Sequence, residues 1–431
     1  MDTVFNQAMS RRNLLRGGLG AAALAGVPFL AACGGGSSGS SGGGSDNKTV
    51  RFGVIKTWIT PEIQNIINDF QTSSGLTVQI VPIAGSSGVE LIQQFTPGLV
   101  SGKPSVDVMF ISDESTPGFV SAGWLEPLDD IRTTAFKADY PDYINAYDDV
   151  WNVKDGHIYR LTAQWSVCLY FTQNEALKSI GAAVPKTWDD INALGAAAKS
   201  KGLYAFGDSV AKPALAFVDA AWLTLQAGGD IFDFGQPTQN AFQFVKGLMD
   251  KGYFPKEAIG WTYDQSNAAY TQNKIATMRQ WNYFTDVASA AKPWYSADKA
   301  TVSLPPAGTG GSPATYGGGW GLSVPKKAAN VDGAKKFVAY MLDASRSTQV
   351  ATASANWAVP RTSNASLAAT NPLFAAMKTY GDAGVMKPRP FRTKINDAQS
   401  VVDDVFTAYL SGQQSLADAM SAGQSRIKAL G

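Results

Sequence analysis

The sequence predicts an α/β fold. Short runs in which apolar residues alternate with period two give way, along the chain, to longer runs with helical spacing. The composition agrees: 45% hydrophobic and 11% aromatic residues in 431 supply a large core and, at this length, two domains.

Taken in order, the chain first carries Arg11, Arg12 and Arg16 ahead of an uncharged run from Gly17 to Ala32. The 16 residues of that run fall short of the roughly 20 that span a bilayer, and positive charge before a short apolar run marks an export signal. Ser10-Arg11-Arg12-Asn13-Leu14-Leu15-Arg16 resembles a twin-arginine signal, with Leu14 where Phe is commoner and Arg16 where Lys is commoner. Leu30-Ala31-Ala32-Cys33 resembles the lipobox of bacterial lipoproteins, which implies a lipid on Cys33. Gly34–Ser45 holds only glycine and serine and is expected to act as a flexible tether of roughly 20 Å. G-x-S-x-G occurs twice within it, at Gly35–Gly39 and Gly39–Gly43, but no strand precedes either copy, so neither is a nucleophile elbow. Asn47 stands where a P-loop needs glycine before its lysine.

Val50, Phe52 and Val54 alternate with Arg51 and Gly53, a strand. Pro61 opens a helix with Ile63, Ile66, Ile67 and Phe70 on one face, and Gly75 ends it. A second strand follows in LTVQIVPI, so the three elements form a right-handed βαβ unit. Ser105–Ser112 reads as a buried strand. Thr187 caps a further helix, with Asp190 three positions on. Ala334, Phe337, Val338 and Met341 form another helical face. No short repeats interrupt the pattern, and two sheets are expected in preference to one large one.

Ligands of open α/β sheets bind beyond the carboxyl ends of the strands. The residues just past those ends are Lys56 and Trp58, then Asp113 and Glu114, then Trp281; Gln164 and Trp165 precede a strand, and Trp320 lies among glycines that would let backbone approach a ligand. Tryptophans beside carboxylates and amides suit sugars, whose C–H faces pack on indole while their hydroxyls need polar partners. Each of these tryptophans, taken alone, could equally fill a core.

The charge balance is close to neutral, with 36 basic and 35 acidic residues; removing residues 1–32 leaves 33 and 34. This argues against nucleic acid as a partner. No segment after the N-terminal run is apolar enough to cross a membrane. With Cys33 lipidated, Cys168 in SVCLYF has no partner and is expected to be a small buried hydrophobe. His157 is the only histidine, which argues against a metal site; in KDGHIY it reads as a surface residue. No metal or cofactor is expected.

Over residues 48–431 the chain resembles the carbohydrate-type extracellular solute-binding proteins of ABC importers. The likeness rests on ordered segments: DVMFISDESTPGFVSAGWLEPLDDI; LYFTQNEALKSIGAAVPKTWDDI, with a local departure at Thr172-Gln173-Asn174; NKIATMRQWNYF; and LPPAGTGGSPATYGGGWGLSVPKKAANVDGAKKFVAYMLD. The resemblance implies a two-lobed fold of the type II periplasmic-binding-protein class, with ligand clamped between lobes joined by a hinge crossed more than once. Mapped on the motifs, lobe one takes residues 48–162 and 303–345 and lobe two residues 163–302 and 346–431, with crossings near Leu161–Ala163, Val302–Leu304 and Asp343–Ser345. It makes Trp281 the stacking aromatic, Asp113 and Glu114 the acidic loop, Gln164 and Trp165 hinge contacts, and Gly318, Gly319 and Trp320 the glycine loop. Trp58 and Asp208 are further candidates; Arg389 reads either as a ligand contact or as a structural ion-pair partner. The expected partners are a carbohydrate, the transmembrane subunits of an ABC permease and, through Cys33, the outer face of the cytoplasmic membrane or the periplasm. The chain is expected to be a monomer and not an enzyme.

Two other readings remain. An exported glycoside hydrolase could use Asp113-Glu114 or Asp189-Asp190, although adjacency in sequence does not set carboxyl spacing and Asp189-Asp190 fall in a helix's first turn. A binding protein for a glycerol-phosphate ester would need a basic clamp, for which Lys56 and Arg389 are the candidates. A polyamine would need more carboxylates than Asp113 and Glu114.

Overall fold

The computed structural model describes residues 48–83, 88–285, 296, 298–353 and 358–431. The export signal, Cys33 and the Gly/Ser tether lie outside the described residues.

Strand β1 (Thr49–Ile55) buries Val50, Phe52 and Val54 completely. The helix Pro61–Ser74 starts where the Thr60 hydroxyl accepts from the Ile63 N–H and stops at Gly75, whose φ of 70° is one that glycine adopts without steric cost. β2 (Thr77–Ile83) and β3 (Val108–Ser112) then pair in parallel with β1 on its two sides, which is the expected βαβ arrangement. A short hairpin, β4 (Val153–Lys154) and β5 (His157–Ile158), precedes the long β6 (Leu161–Gln173). β7 (Tyr204–Gly207), β8 (Ile275–Trp281), β9 (Ala300–Ser303), β10 (Thr315–Ser323) and β11 (Met386–Pro388) complete the strands among the described residues.

The expectation of two sheets is corrected. The hydrogen-bonded order is β2-β1-β3-β10-β6-β8-β7, with β11 added to β10 and β9 to β6, so nine strands form one mixed sheet and only the hairpin β4-β5 stands apart among the described residues. The reason is the 13-residue length of β6, which runs antiparallel to β10 at one end and to β8 at the other. Its register with β10 shifts between Trp320 and Gly321: Gln164 faces Trp320, Thr162 faces Gly321, and Ala163 is left over, as in a β-bulge.

Apolar side chains gather in distinct cores. One packs β1 against the helices Pro61–Ser74 and Val331–Met341, with Phe337 edge-on to both Phe52 and Phe70 at 5.2 and 5.1 Å. On the other face of β1 and β3, Leu91, Phe95, Met109 and Ile111 form a second, so these strands are covered on both sides. The largest core surrounds the second half of β6 and the helices Trp188–Ser200, Leu215–Gln226, Gln236–Lys251 and Ile395–Leu410. The helix Trp188–Ser200 carries the expected capping box between Thr187 and Asp190. Cys168 is buried in the largest core, where loss of hydration pushes its thiol up to about 12. His157 is exposed and pairs with Asp129 at 2.9 Å.

Core membership shifts the expected lobe limits. β6 passes between cores from Leu161 and Ala163, in the β1 core, to Trp165, in the largest. The second passage lies inside β10, between Tyr316 and Leu322, and not at 302–304. β9 is paired to β6, and Gly308 and Ser312 both donate to the Gln226 carbonyl, which keeps that stretch with the largest core. The third passage comes after Val350, later than 343–345. The helix Asp142–Trp151, expected in lobe one, sends Ile144, Tyr147 and Trp151 into the largest core.

Candidate functional site

Three strand ends and the two crossing strands meet at one cleft of about 480 Å³. β1 ends in the turn Lys56–Trp58, β3 in Asp113–Ser115 and β8 in Trp281, while β10 and β6 bring Trp320 opposite Gln164. Nine sequence-derived candidates line it: Trp58, Asp113, Glu114, Gln164, Trp281, Gly318, Gly319, Trp320 and Arg389. Trp58 and Trp320 back onto the β1 core, whereas Trp281 backs onto the largest core, so opposite walls come from different halves.

The aromatic walls are braced by neighbours. Trp58 stands edge-on to Trp320 at 4.6 Å and to Phe110 at 5.4 Å, and Trp320 stacks on Phe110 at 5.9 Å. Opposite, the Trp281 indole N–H donates to the Tyr263 hydroxyl at 2.7 Å, while Asn267 donates to the Tyr283 hydroxyl at 3.1 Å. The five rings that line the cleft, Trp58, Trp320, Trp281, Tyr263 and Tyr283, are partly exposed, and Phe110 behind them is buried.

The floor is a closed set of ion pairs. Arg389 Nη1 donates to Asp113 Oδ1 at 3.1 Å, and its Nη2 to Glu114 Oε1 at 2.7 Å. Burial works against the Arg389 charge, but the carboxylates of Glu114 and Asp113 more than offset it and hold the guanidinium well above its ordinary range. Asp113 also accepts from the Tyr147 hydroxyl at 3.0 Å and from the Gly319 and Glu114 amides at 3.3 and 2.9 Å. Tyr147 in turn accepts from Arg160, which donates to the Gly319 carbonyl. Among the buried polar atoms of the described lining residues, Gln164 Oε1 and Arg389 Nε have no hydrogen-bond partner.

Two expectations are corrected. Trp165 is buried, edge-on to Tyr147 at 4.9 Å, because side chains of a strand alternate: Gln164 and Ser166 face the cleft, and Trp165 between them faces the core. Asp208 is fully buried and bonded twice to Arg279, a residue whose guanidinium lies 5.9 Å from the Tyr263 ring. It braces the wall from behind and does not line the cleft. The glycines also have a different cause from the one expected. A Cβ on Gly318 would come within 2.4 Å of Asp113 Oδ2, and one on Gly319 within 2.0 Å of the Gln164 carbonyl, so both make room for protein atoms. Lys56 is exposed and outside the lining.

Sequence reasoning missed Thr60, Ser112, Ser166, Ala214, Leu215, Val218, Tyr263 and Tyr283. Strand alternation would have found Ser166 beside Gln164, and Tyr283 lies two residues after Trp281. Tyr263 and the Ala214–Val218 wall carry no local signal. Among the described residues, no cluster of His, Cys, Asp or Glu could hold a metal ion, and no helix is long and apolar enough to cross a membrane.

Comparison with known proteins bears on this arrangement. A family model described as bacterial extracellular solute-binding protein matches residues 56–345. The chain is 25% identical over 339 residues to a "Probable ABC transporter-binding protein" of Deinococcus radiodurans, covering 75% of each. Among solved structures it is similar to maltose-bound MalE3 of T. maritima, with 19% identity, a TM-score of 0.73 and coverage of 89% of this chain and 99% of that one. It is also similar to the GacH receptor of Streptomyces glaucescens, with 21% identity, a TM-score of 0.74 and coverage of 89% and 98%.

Proposed function

The chain belongs to the bacterial extracellular solute-binding protein family, and from that premise we propose that the solute it delivers to its ABC permease is an uncharged sugar or sugar alcohol. Capture, and not turnover, is the family's role. The single observation that favours a neutral ligand is the state of the charges in the cleft. Asp113, Glu114 and Arg389, the charged residues among the described lining, are bonded to one another, and the rest of the lining is aromatic, apolar or uncharged polar. Uncharged polar side chains and ring faces match hydroxyls and C–H surfaces. The similar T. maritima protein is maltose-bound, and the Streptomyces receptor forms a complex with acarbose. A glycerol-phosphate ester is disfavoured, since Arg389 already serves two carboxylates and Lys56 stands outside the cleft.

A thermal-shift screen of mono-, di- and oligosaccharides, sugar alcohols and sugar phosphates tests this. A ligand at a hundred times its dissociation constant stabilises by about 2.7 kcal/mol. Stabilisation by neutral members is expected; stabilisation by phosphates alone would overturn the reading. The basic and apolar N-terminal run, the quartet ending at Cys33 and the Gly/Ser tract support a twin-arginine export signal and a lipid anchor. On that reading Cys33→Ser moves the protein from the membrane fraction to the soluble one, as an immunoblot of the two would record.

A further inference from the structure

The wall formed by Ala214, Leu215 and Val218 is the start of the helix Leu215–Gln226. A helix leaves its first amides without partners inside the helix, and a Ser, Thr, Asp or Asn side chain at the preceding position usually supplies an acceptor. Here that position is Ala214, which has no such side chain and sits at φ 73°, a left-handed conformation disfavoured for a residue with a Cβ. The missing acceptors come from the far end of the chain. Asp403, 3% exposed in the helix Ile395–Leu410, accepts from the Ala214 N–H at 2.6 Å and the Phe217 N–H at 2.7 Å, one on each carboxylate oxygen. The next residue, Asp404, accepts from Lys212 Nζ at 2.9 Å. Two consecutive carboxylates therefore hold the segment that turns into the cleft wall.

We infer that Asp403 is a positioning residue for ligand binding: it fixes the left-handed turn at Ala214 and so the place of the Ala214–Val218 wall, without touching the ligand. A carboxylate at a helix start is doubly suited, through charge-assisted bonds to the amides and through the helix dipole. The inference rests on the reading of the cleft as the solute site.

Asp403→Asn keeps the volume and one acceptor but loses the charge and one of the two bonds. Hydrogen–deuterium exchange over residues 212–220 of the whole protein is expected to speed up at least tenfold, with distant segments unchanged. In calorimetric titrations with maltose and D-mannitol, affinity for the sugar that binds the parent is expected to fall at least fivefold. Asp107→Asn is the control for lost stability, since Asp107 accepts from the Arg51 backbone and side chain away from the cleft. At a matched drop in Tm it should change affinity less than twofold. Should the asparagine variant fail to fold, Asp403→Glu, with both acceptors set one methylene further out, is expected to keep the amides protected while weakening binding at least threefold. Unchanged exchange at 214–218 in the asparagine variant, unchanged affinity in the glutamate variant, or an affinity loss shared by the Asp107 variant overturns the inference. If neither sugar binds the parent, the choice of solute is in error, and the exchange result still decides whether Asp403 holds the wall.

Discussion

Trp281 lines the cleft and donates its N–H to the Tyr263 hydroxyl, so its contribution to binding separates from its contribution to folding. Trp281→Ala is expected to weaken ligand binding at least tenfold, about 1.4 kcal/mol, with a smaller effect on Tm because the ring is partly exposed at the cleft. Calorimetric titration beside a melting curve checks both. Asp219 makes a different prediction. It is fully buried, no N–H or hydroxyl donor reaches either oxygen among the described residues, and the side chain it meets is the Asp208 carboxylate. Burial, then the Asp208 charge, raises its carboxyl well above the ordinary range. A raised native value means that its contribution to stability is complete below the unfolded carboxylate value near 4 and is lost as pH rises through the native one. Asp219→Asn cannot ionise. Its stability relative to the parent is therefore expected to climb from about pH 4 upward, by up to roughly 1.4 kcal/mol per unit until the native carboxyl ionises. Denaturant melts at pH 4, 6 and 8 would show the widening gap; a constant difference would contradict it.

At the level of elements, the strand-end rule recovered Trp58, Asp113, Glu114 and Trp281, because a βαβ pattern fixes where a parallel strand stops. It failed where position along a strand had to be resolved into faces. Gln164 and Trp165 were taken together, yet neighbours on a strand cannot share a side. The unpredicted Ala214–Val218 wall depends on Asp403, a contact 189 residues away for which no local pattern exists. β10 illustrates the same point. Its glycines were legible as a signal, but their reason lies in the strands and carboxylates packed on them. Gly319→Ala would press a methyl against the Gln164 carbonyl, a backbone atom that cannot rotate away. A loss of about 1–3 kcal/mol is expected in denaturant melts.

Across the whole molecule, β6 and β10 are the strands that serve both halves, and the bulge at Ala163 interrupts their ladder where the cores change over. The two-lobed fold was legible in the order of motifs, while the limits of the halves were not. Passage from one core to the next happens inside continuous strands, with no break in composition to mark it. The ion pairs on the cleft floor have a consequence for the protein at work. The uncharged cargo proposed above, entering a pocket whose charged side chains are already bonded to one another, neither takes up protons nor displaces counterions. Affinity is therefore expected to stay within twofold between about 0.05 and 0.5 M sodium chloride, so that a receptor outside the cell would load equally well in brackish and in fresh surroundings.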